Sequence, residues 1–140
     1  MTVRARPLRS VLYVPGSRPG ALAKLGELQV DAVILDLEDA VLTDAKAAAR
    51  QAVVEALSTT DFGQTLCLVR VNGLDTAFGE KDVRARAGLP CDGIVRPKVA
   101  EGATVAAAAK LTTLPIWAMI ETPLGLVNAQ EIVTANHRVT

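Results

Sequence analysis

Charged side chains stand at the ends of several short apolar runs in this sequence. The run 116–120 ends in Glu121, and similar runs lead into Asp36, Arg70 and Lys98. Runs this short and this rich in bulky apolar residues are typical of buried strands, because a helix would need more residues. A carboxylate at a strand end is a hard oxygen ligand of the kind that Mg²⁺ prefers. The pattern therefore predicts that the strands deliver polar chemistry at their carboxyl ends.

The composition indicates an ordered domain without a strong electric field. Of the 140 residues, 50% are hydrophobic and 21% are charged, which is enough apolar material to bury a core. The 15 basic and 15 acidic residues give a net charge of zero, which excludes a global attraction to nucleic acid or to a membrane surface. Small molecules are therefore the expected partners.

The cysteines and the N-terminal residues predict a cytoplasmic location. Cys67 and Cys91 are too far apart in the sequence for a close-spaced zinc pair, and two cysteines do not form a disulfide framework. The apolar stretch 11–14 that follows the arginine-bearing N-terminus is interrupted by Pro15 and Gly16. It is too short for a signal peptide or a membrane span.

Predicted strands and helices alternate along the chain. Apolar runs predict strands at residues 10–14, 32–37, 66–71, 93–96 and 116–120. The intervening patterns predict helices at about residues 21–29, 43–57, 80–87, 100–111 and 124–135. Thr43 or Asp44 is expected to cap the second helix, and residues 138–140 are expected to begin a sixth strand.

The alternation predicts a parallel sheet with right-handed crossovers, which two architectures would satisfy. A doubly wound open sheet of five strands fits a length of 140 residues, whereas a (β/α)₈ barrel needs about 250 residues and would stop here after its fifth unit. The chemistry favours the barrel, because an open sheet gathers its ligands at one switch point and here every strand leads into polar groups. The sequence contains neither a phosphate loop nor a G-x-G-x-x-G motif to support nucleotide binding.

Five separated motifs give the chain a specific resemblance to a known family. In chain order they are residues 9–16 (RSVLYVPG), 33–41 (VILDLEDAV), 69–73 (VRVNG), 97–99 (PKV) and 120–125 (IETPLG). Together they resemble the citrate lyase β-subunit-like enzymes of the HpcH/HpaI aldolase superfamily, over about the first half of that family's barrel. The resemblance implies a partial TIM (β/α)₈ barrel of the phosphoenolpyruvate/pyruvate type, in which residues 1–140 form one truncated domain of about five βα units.

The same resemblance implies a magnesium-dependent carbon–carbon lyase. Enzymes of this kind act on CoA thioesters of hydroxy acids, such as citryl-CoA or malyl-CoA, through a metal-stabilised enolate. Mg²⁺ is the implied cofactor, and a CoA thioester or an oxo acid is the implied substrate. A five-unit piece of a barrel leaves two strand edges unpaired, so we also expect a homo-oligomer.

The resemblance assigns roles to residues at the strand ends. Glu121 matches the family's first metal ligand and would also bind substrate. Arg70 matches the arginine that grips the substrate carboxylate or the developing enolate, for which a planar, always charged fork is suited. Glu38 and Asp39 match catalytic residues at the mouth, where they would hold metal-bound waters or the Arg70 side chain. Alternation puts Asp36 on the same strand face as Glu38, where it is expected to pack between barrel layers.

Two further basic residues are candidates for substrate binding. Arg18 lies where the family contacts the phosphates of CoA, with a solvent-facing surface arginine as the alternative. Lys98 would orient the substrate or pair with Glu121. The family's second metal ligand is an aspartate after the sixth strand, beyond the last residue of this sequence.

Other residues are expected to be structural. Lys46 and Arg50, one helical turn apart, are expected to face solvent or pair with carboxylates. Trp117 and Met119 are expected in the core. Arg96 departs from the family, which usually has an apolar residue there, so either the local packing or the phase of that strand is in question.

A second class of function stays open beside the lyase. The only histidine, His137, has no serine or cysteine neighbour of triad type, so a mechanism with a nucleophile and a base is unsupported. The alternative is a catalytically inactive barrel fragment or a small-acid binding module. Arg70 and Glu121 would then be members of structural ion pairs.

Overall fold

The computed structural model describes residues 7–140. Most of the arginine-bearing N-terminal stretch considered above lies outside the described residues. The strands are β1 Val11–Pro15, β2 Ala32–Asp36, β3 Leu66–Arg70, β4 Gly93–Arg96 and β5 Ile116–Ala118. The helices are α1 Pro19–Leu22, α2 Lys46–Thr59, α3 Gly79–Ala85, α4 Gly102–Leu111, α5 Pro123–Val127 and α6 Ala129–Thr134. Short 3₁₀ turns occupy Leu25–Glu27 and Thr43–Ala45.

The strands form one parallel sheet in the sequential order β1-β2-β3-β4-β5. A doubly wound sheet reverses its strand order at a switch point, so the sequential order excludes that alternative. The sheet does not close on itself within residues 7–140, because β1 and β5 pair with different neighbours and not with each other. The architecture is therefore an open part of a (β/α)₈ barrel wall, with all strand carboxyl ends along one edge.

The two faces of the sheet are covered differently. On one face, Val33 and Leu35 of β2 belong to a large core that includes helix residues such as Val53 of α2. The other face carries a smaller apolar cluster made only of residues from the strands and their ends, namely Ile34, Leu66, Leu68, Val95, Trp117 and Met119. Helices on one face only are typical of a barrel wall, whose inner face is filled by strand side chains. Trp117 and Met119 are packing residues, as predicted.

Several boundaries depart from the predictions. The helix predicted at 21–29 is instead the short α1 followed by a 3₁₀ turn, and β5 ends at Ala118. The helix predicted at 124–135 is divided at Asn128 into α5 and α6. The capping prediction was wrong, because Thr43 and Asp44 lie in a 3₁₀ turn and neither side chain caps α2. The sixth strand begins as expected, with a parallel bridge between Val139 and Ile116.

Neither cysteine is paired. Cys67 is a buried free thiol and Cys91 a half-buried one. Burial raises the pKa of both thiols, so they are protonated packing groups at neutral pH. Within residues 7–140, no helix is both long and apolar enough to cross a membrane.

Candidate active site

A buried ion pair joins the carboxyl ends of β2 and β3. The strand register sets Asp36 beside Arg70. Arg70 Nε donates to Asp36 Oδ1 at 2.8 Å, and Nη2 donates to Oδ2 at 2.6 Å, so the contact has two points. Asp36 is 1% exposed and Arg70 is 9% exposed, which limits screening by solvent. Asp36 therefore does more than pack between barrel layers, because it anchors Arg70.

Two further groups hold the Arg70 guanidinium. Its Nη1 lies 3.3 Å from Glu38 Oε2, and its central carbon lies 4.9 Å from the centre of the Tyr13 ring. The hydrogen bonds to Asp36, and to a smaller extent the charges of Asp36 and Glu38, raise the pKa of Arg70, which remains cationic at every working pH. A paired and ring-stacked guanidinium has little freedom to rotate. Tyr13 was missed in the sequence, although its place in the first motif and on the inner face of β1 was a usable signal.

A tight turn after β2 sets Glu38 and Asp39 at the mouth. Asp36 Oδ1 accepts the Glu38 N–H at 2.8 Å, and Oδ2 accepts the Ala40 N–H at 3.3 Å. Glu38 Oε2 accepts the Asp39 N–H at 3.0 Å. From α2, Lys46 Nζ donates to the Glu38 carbonyl at 2.9 Å. Because Asp36 holds both Arg70 and this turn, one carboxylate fixes the relative position of the acidic and basic groups.

Lys98 connects the turn after β2 with the end of β5. Its backbone has a φ of 51°, a left-handed conformation that is uncommon for a residue with a side chain. Its Nζ donates to Glu38 Oε1 and lies 3.0 Å from Asp39 Oδ1, while its N–H donates to Glu121 Oε1 at 2.8 Å. Lys98 therefore contacts Glu121, one of its two predicted partners, but through its backbone N–H, because its ammonium contacts Glu38 and Asp39. The ion pairs raise the pKa of Lys98, and Lys98 lowers the pKa of Asp39.

Glu121 has one oxygen available for a metal ion. The side chain is exposed beyond the end of β5, and Oε2 makes no hydrogen bond or ion pair with residues 7–140. Proteins bind Mg²⁺ through one or two carboxylates with several waters, so an oriented carboxylate with a free oxygen fits one ligand position. Among the described residues, no cluster of three or more potential protein ligands forms a complete metal site.

A buried polar network behind the ion pair was missed in the sequence. Asn72 Nδ2 donates to Asp82 Oδ2 at 2.6 Å and to the Leu37 carbonyl at 2.8 Å. Asp82 Oδ1 accepts from Arg50 Nε at 2.7 Å, so Arg50 pairs with a carboxylate as predicted. The network joins the segments that follow β2 and β3 to α2 and α3. Asn72 in the third motif was a signal, whereas nothing in the sequence connects it with Asp82.

Arg96 extends this network from β4. Its side chain is buried, and Nη1 donates to the Asn72 carbonyl at 3.1 Å. Desolvation lowers the pKa of Arg96, and Nε has no hydrogen-bond partner among the described residues. The strand predicted at 93–96 is present with these bounds, and Arg96 lies on the same face as Ile94, opposite Val95. The hydrogen bond from Arg96 links β4 to the segment after β3.

Arg18 is not connected to these residues. It precedes α1, at the same edge of the sheet as the ion pair, because it follows the carboxyl end of β1. Its side chain is exposed and makes no hydrogen bond or ion pair with residues 7–140. The structure therefore joins Arg70, Glu38, Asp39, Lys98 and Glu121 into one linked group and leaves Arg18 apart.

Comparison with known proteins relates this geometry to other chains. A (3S)-malyl-CoA thioesterase from Cereibacter sphaeroides is 49% identical over 141 residues, covering 100% of this chain and 49% of the relative. An L-malyl-CoA/beta-methylmalyl-CoA lyase from the same organism is 40% identical over 149 residues, covering 96% of this chain and 47% of the relative. The structure of CitE from Mycobacterium tuberculosis with magnesium, acetoacetate and coenzyme A has a TM-score of 0.76 and 35% identity, covering 92% of this chain and 45% of that one.

These matches agree in extent. The chain spans about half the length of the curated relatives it matches. The family model for HpcH/HpaI aldolase/citrate lyase matches residues 9–140, which include every described strand and the linked charged group at the strand ends. The chain belongs to the HpcH/HpaI aldolase/citrate lyase family.

Proposed function

We propose that residues 1–140 form part of the barrel domain of a magnesium-dependent carbon–carbon lyase that acts on a CoA thioester of a hydroxy acid. Family membership and the names of the relatives support a substrate of the malyl-CoA or citryl-CoA type. The observation that carries the proposal is Arg70, a buried cation fixed by Asp36, Glu38 and Tyr13 at the carboxyl edge of the sheet. Barrel enzymes build their active sites at this edge.

Arg70 would bind the substrate anion and stabilise developing charge. A guanidinium has five N–H donors, of which Asp36 accepts two and Glu38 faces another nitrogen, so donors on Nη1 and Nη2 remain for a ligand. Breaking the carbon–carbon bond next to a thioester carbonyl leaves negative charge on the thioester half as an enolate. A fixed donor aimed at such charge contributes about 3 kcal/mol in other enzymes. Because the anchors hold Arg70 in place, little reorganisation is needed during reaction.

Glu121 would hold the magnesium ion through its free oxygen, and Glu38 and Asp39 would contact metal-bound waters. When bound, magnesium would supply a Lewis acid and a template for the acid half of the substrate. The N–H of Lys98 orients Glu121, and the Lys98 ammonium would balance the charge of the two carboxylates and contact the anionic substrate. Arg18, exposed on the same edge, would bind the CoA phosphates.

Hydrolysis of a malyl-CoA-type thioester is the second candidate. The observation that favours it is the higher identity with the thioesterase, 49% against 40% for the lyase. In that reaction water adds to the thioester carbonyl, the carbon–sulfur bond breaks, and the products are malate and free CoA. The same arginine and metal positions would bind the acid half in both reactions.

We further propose a homo-oligomer in a reducing cytoplasm. The apolar inner face of the sheet contains no helix residue, and Val11, Leu12 and Tyr13 of the edge strand β1 are exposed at 45%, 42% and 41%. Uncovered apolar strands favour association. Two free cysteines agree with a reducing compartment.

A chimeric enzyme tests the proposed activity. Residues 9–140 replace the matching segment of the L-malyl-CoA/beta-methylmalyl-CoA lyase, and the folded chimera receives malyl-CoA with magnesium or with excess chelator. Acetyl-CoA and glyoxylate formed only with magnesium are the expected products. Malate and free CoA in their place would favour hydrolysis, and that outcome would trace to residues 9–140 because the remaining part comes from a lyase. A folded chimera that forms neither pair of products would contradict an enzymatic role for this segment.

A further inference from the structure

A basic cavity lies at the end of the sheet opposite the candidate active site. It is lined by residues at the ends of α3 and α4 and by residues just before Val139, namely Arg86, Ala87, 109–113, His137 and Arg138. All of these precede the amino ends of β4, β5 or the Val139 bridge, whereas Arg70 and Glu121 follow carboxyl ends. The cavity volume of about 620 Å³ is in the range of sites that hold small ligands.

The lining is positively charged. Four of its nine lining residues are basic, namely Arg86, Lys110, His137 and Arg138. Within residues 7–140, no aspartate or glutamate lines the cavity. Thr112 and Thr113 add hydroxyl groups, one of which accepts from Arg86 Nη2. Such a wall offers donors and positive charge, which are the requirements of an oxyanion ligand.

The negative carboxyl ends of nearby helices offset only part of this positive charge. α3 and α4 both end at the cavity, and each helix end carries roughly half a negative charge. Arg138 neutralises one of them, because it donates to the carbonyls of Ala109, at 2.6 Å, and of Thr112. About half a negative charge, that of the α3 end, therefore remains opposite Arg86 and Lys110, so the lining keeps an excess of positive charge that an anion with more than one charge would offset.

Among residues 7–140, Arg86 is the buried cation of this lining that no anionic side chain pairs with. It is 7% exposed, its Nε is buried with no hydrogen-bond partner among the described residues, and no carboxylate of residues 7–140 forms an ion pair with it. Burial lowers the pKa of Arg86, because desolvation disfavours the charged form. A buried cation without a partner is destabilising, and an anion bound in the cavity would offset that cost.

We propose that this cavity binds a phosphate dianion, either free or as the phosphoryl group of a larger ligand. Arg86 forms the buried wall of the site, and Lys110 and His137 are its solvent-facing hydrogen-bond donors. The site is independent of the lyase proposal, because it shares no residue with the group around Arg70.

Equilibrium dialysis of the 140-residue chain with radiolabelled inorganic phosphate, at constant ionic strength in sodium chloride, tests the site. We expect one bound phosphate per chain. Lys110→Gln should weaken binding about tenfold, the value of one charged hydrogen bond, while Lys110→Arg keeps it. Lys81→Gln is the matched control, because Lys81 is an exposed lysine of α3 that does not line the cavity.

Arg86→Gln should remove binding, but it also replaces a buried group and puts folding at risk, so the exposed Lys110 and His137 carry the test. Equal phosphate affinity of the wild type, Lys110→Gln and His137→Gln would overturn the proposal, as would no binding at millimolar phosphate. A parallel titration with ADP separates the two forms of the ligand. Tighter binding of ADP would assign the site to a phosphoryl group of a larger ligand, and equal affinity would assign it to phosphate alone.

Discussion

Replacing Asp36 by asparagine removes the charge that anchors Arg70 and changes little else in shape. Asp36 is 1% exposed and accepts two hydrogen bonds from Arg70, at 2.8 and 2.6 Å. Removing one member of a buried ion pair costs about 3–5 kcal/mol, because the other charge stays buried. Glu38 remains 3.3 Å from Arg70 and compensates part of the loss. We therefore expect Asp36→Asn to lower the free energy of unfolding by about 3 kcal/mol, at the lower end of that range.

Urea unfolding of the 140-residue chain, followed by circular dichroism at one protein concentration, measures this loss. Glu80→Gln is the matched control, because it makes the same carboxylate-to-amide change in an exposed pair. Glu80 lies 2.7 Å from Arg84 on α3, with the side chains 59% and 64% exposed. The control should cost no more than about 0.5 kcal/mol. A loss below about 1 kcal/mol for Asp36→Asn, or one equal to that of the control, would refute the reasoning that burial makes this pair strong.

Three further predictions concern the residues around Lys98. Lys98→Gly and Lys98→Ala both remove the ammonium, but glycine tolerates the φ of 51° better than alanine does. The glycine variant should therefore have a free energy of unfolding in urea about 0.5–1 kcal/mol higher than the alanine variant. An alanine variant that is equally or more stable would contradict this backbone conformation. Because Lys98 lowers the pKa of Asp39, their attraction is present above the ordinary carboxyl pKa and is lost as the pH falls through the lowered value. The stability difference between the wild type and Asp39→Asn should therefore shrink below about pH 4, and a difference that grows in acid would show that Asp39 has another role. Calorimetry should find magnesium affinity in the millimolar range for the 140-residue chain and still weaker affinity for Glu121→Ala. Glu101→Ala, a change at another exposed glutamate, is the control and should leave the affinity unchanged. Tight binding that survives Glu121→Ala would show that another residue is the ligand.

The strand framework was accessible from the sequence. Short apolar runs bounded by polar and turn residues fix where a strand can lie, and β4 was predicted at its observed bounds, Gly93–Arg96. The pairing of Asp36 with Arg70 was not predicted, whereas the charged residues at the ends of the runs were predicted to lie at the carboxyl ends of the strands. Glu38 was predicted to hold Arg70, and its 3.3 Å contact with Arg70 agrees with that prediction. These features depend on local pattern and on parallel topology, which is why the sequence was sufficient.

Other features depend on contacts between distant segments. The division of the last predicted helix at Asn128 accompanies a hydrogen bond from Asn128 Nδ2 to the Ala100 carbonyl at 2.9 Å, which no local pattern reveals. The Lys98 ammonium contacts the carboxylates after β2 while the Lys98 N–H contacts Glu121, and the positive φ of Lys98 is a further feature that the sequence does not show. The contact of Asn72 with Asp82 likewise requires knowing how α3 packs.

The kcat/KM of the chimeric lyase with Arg70→Lys tests the central claim most directly. Lysine keeps the positive charge but cannot make the two-point contact with Asp36 while also presenting donors to a substrate. Arg84→Lys, an exposed arginine of α3, is the matched control. The proposed role of Arg70 predicts a loss of about 100-fold in kcat/KM for Arg70→Lys and no change for Arg84→Lys, measured as acetyl-CoA formed from malyl-CoA. Equal kcat/KM values for the chimera with Arg70 and with Arg70→Lys would contradict the claim that this arginine binds the reacting substrate.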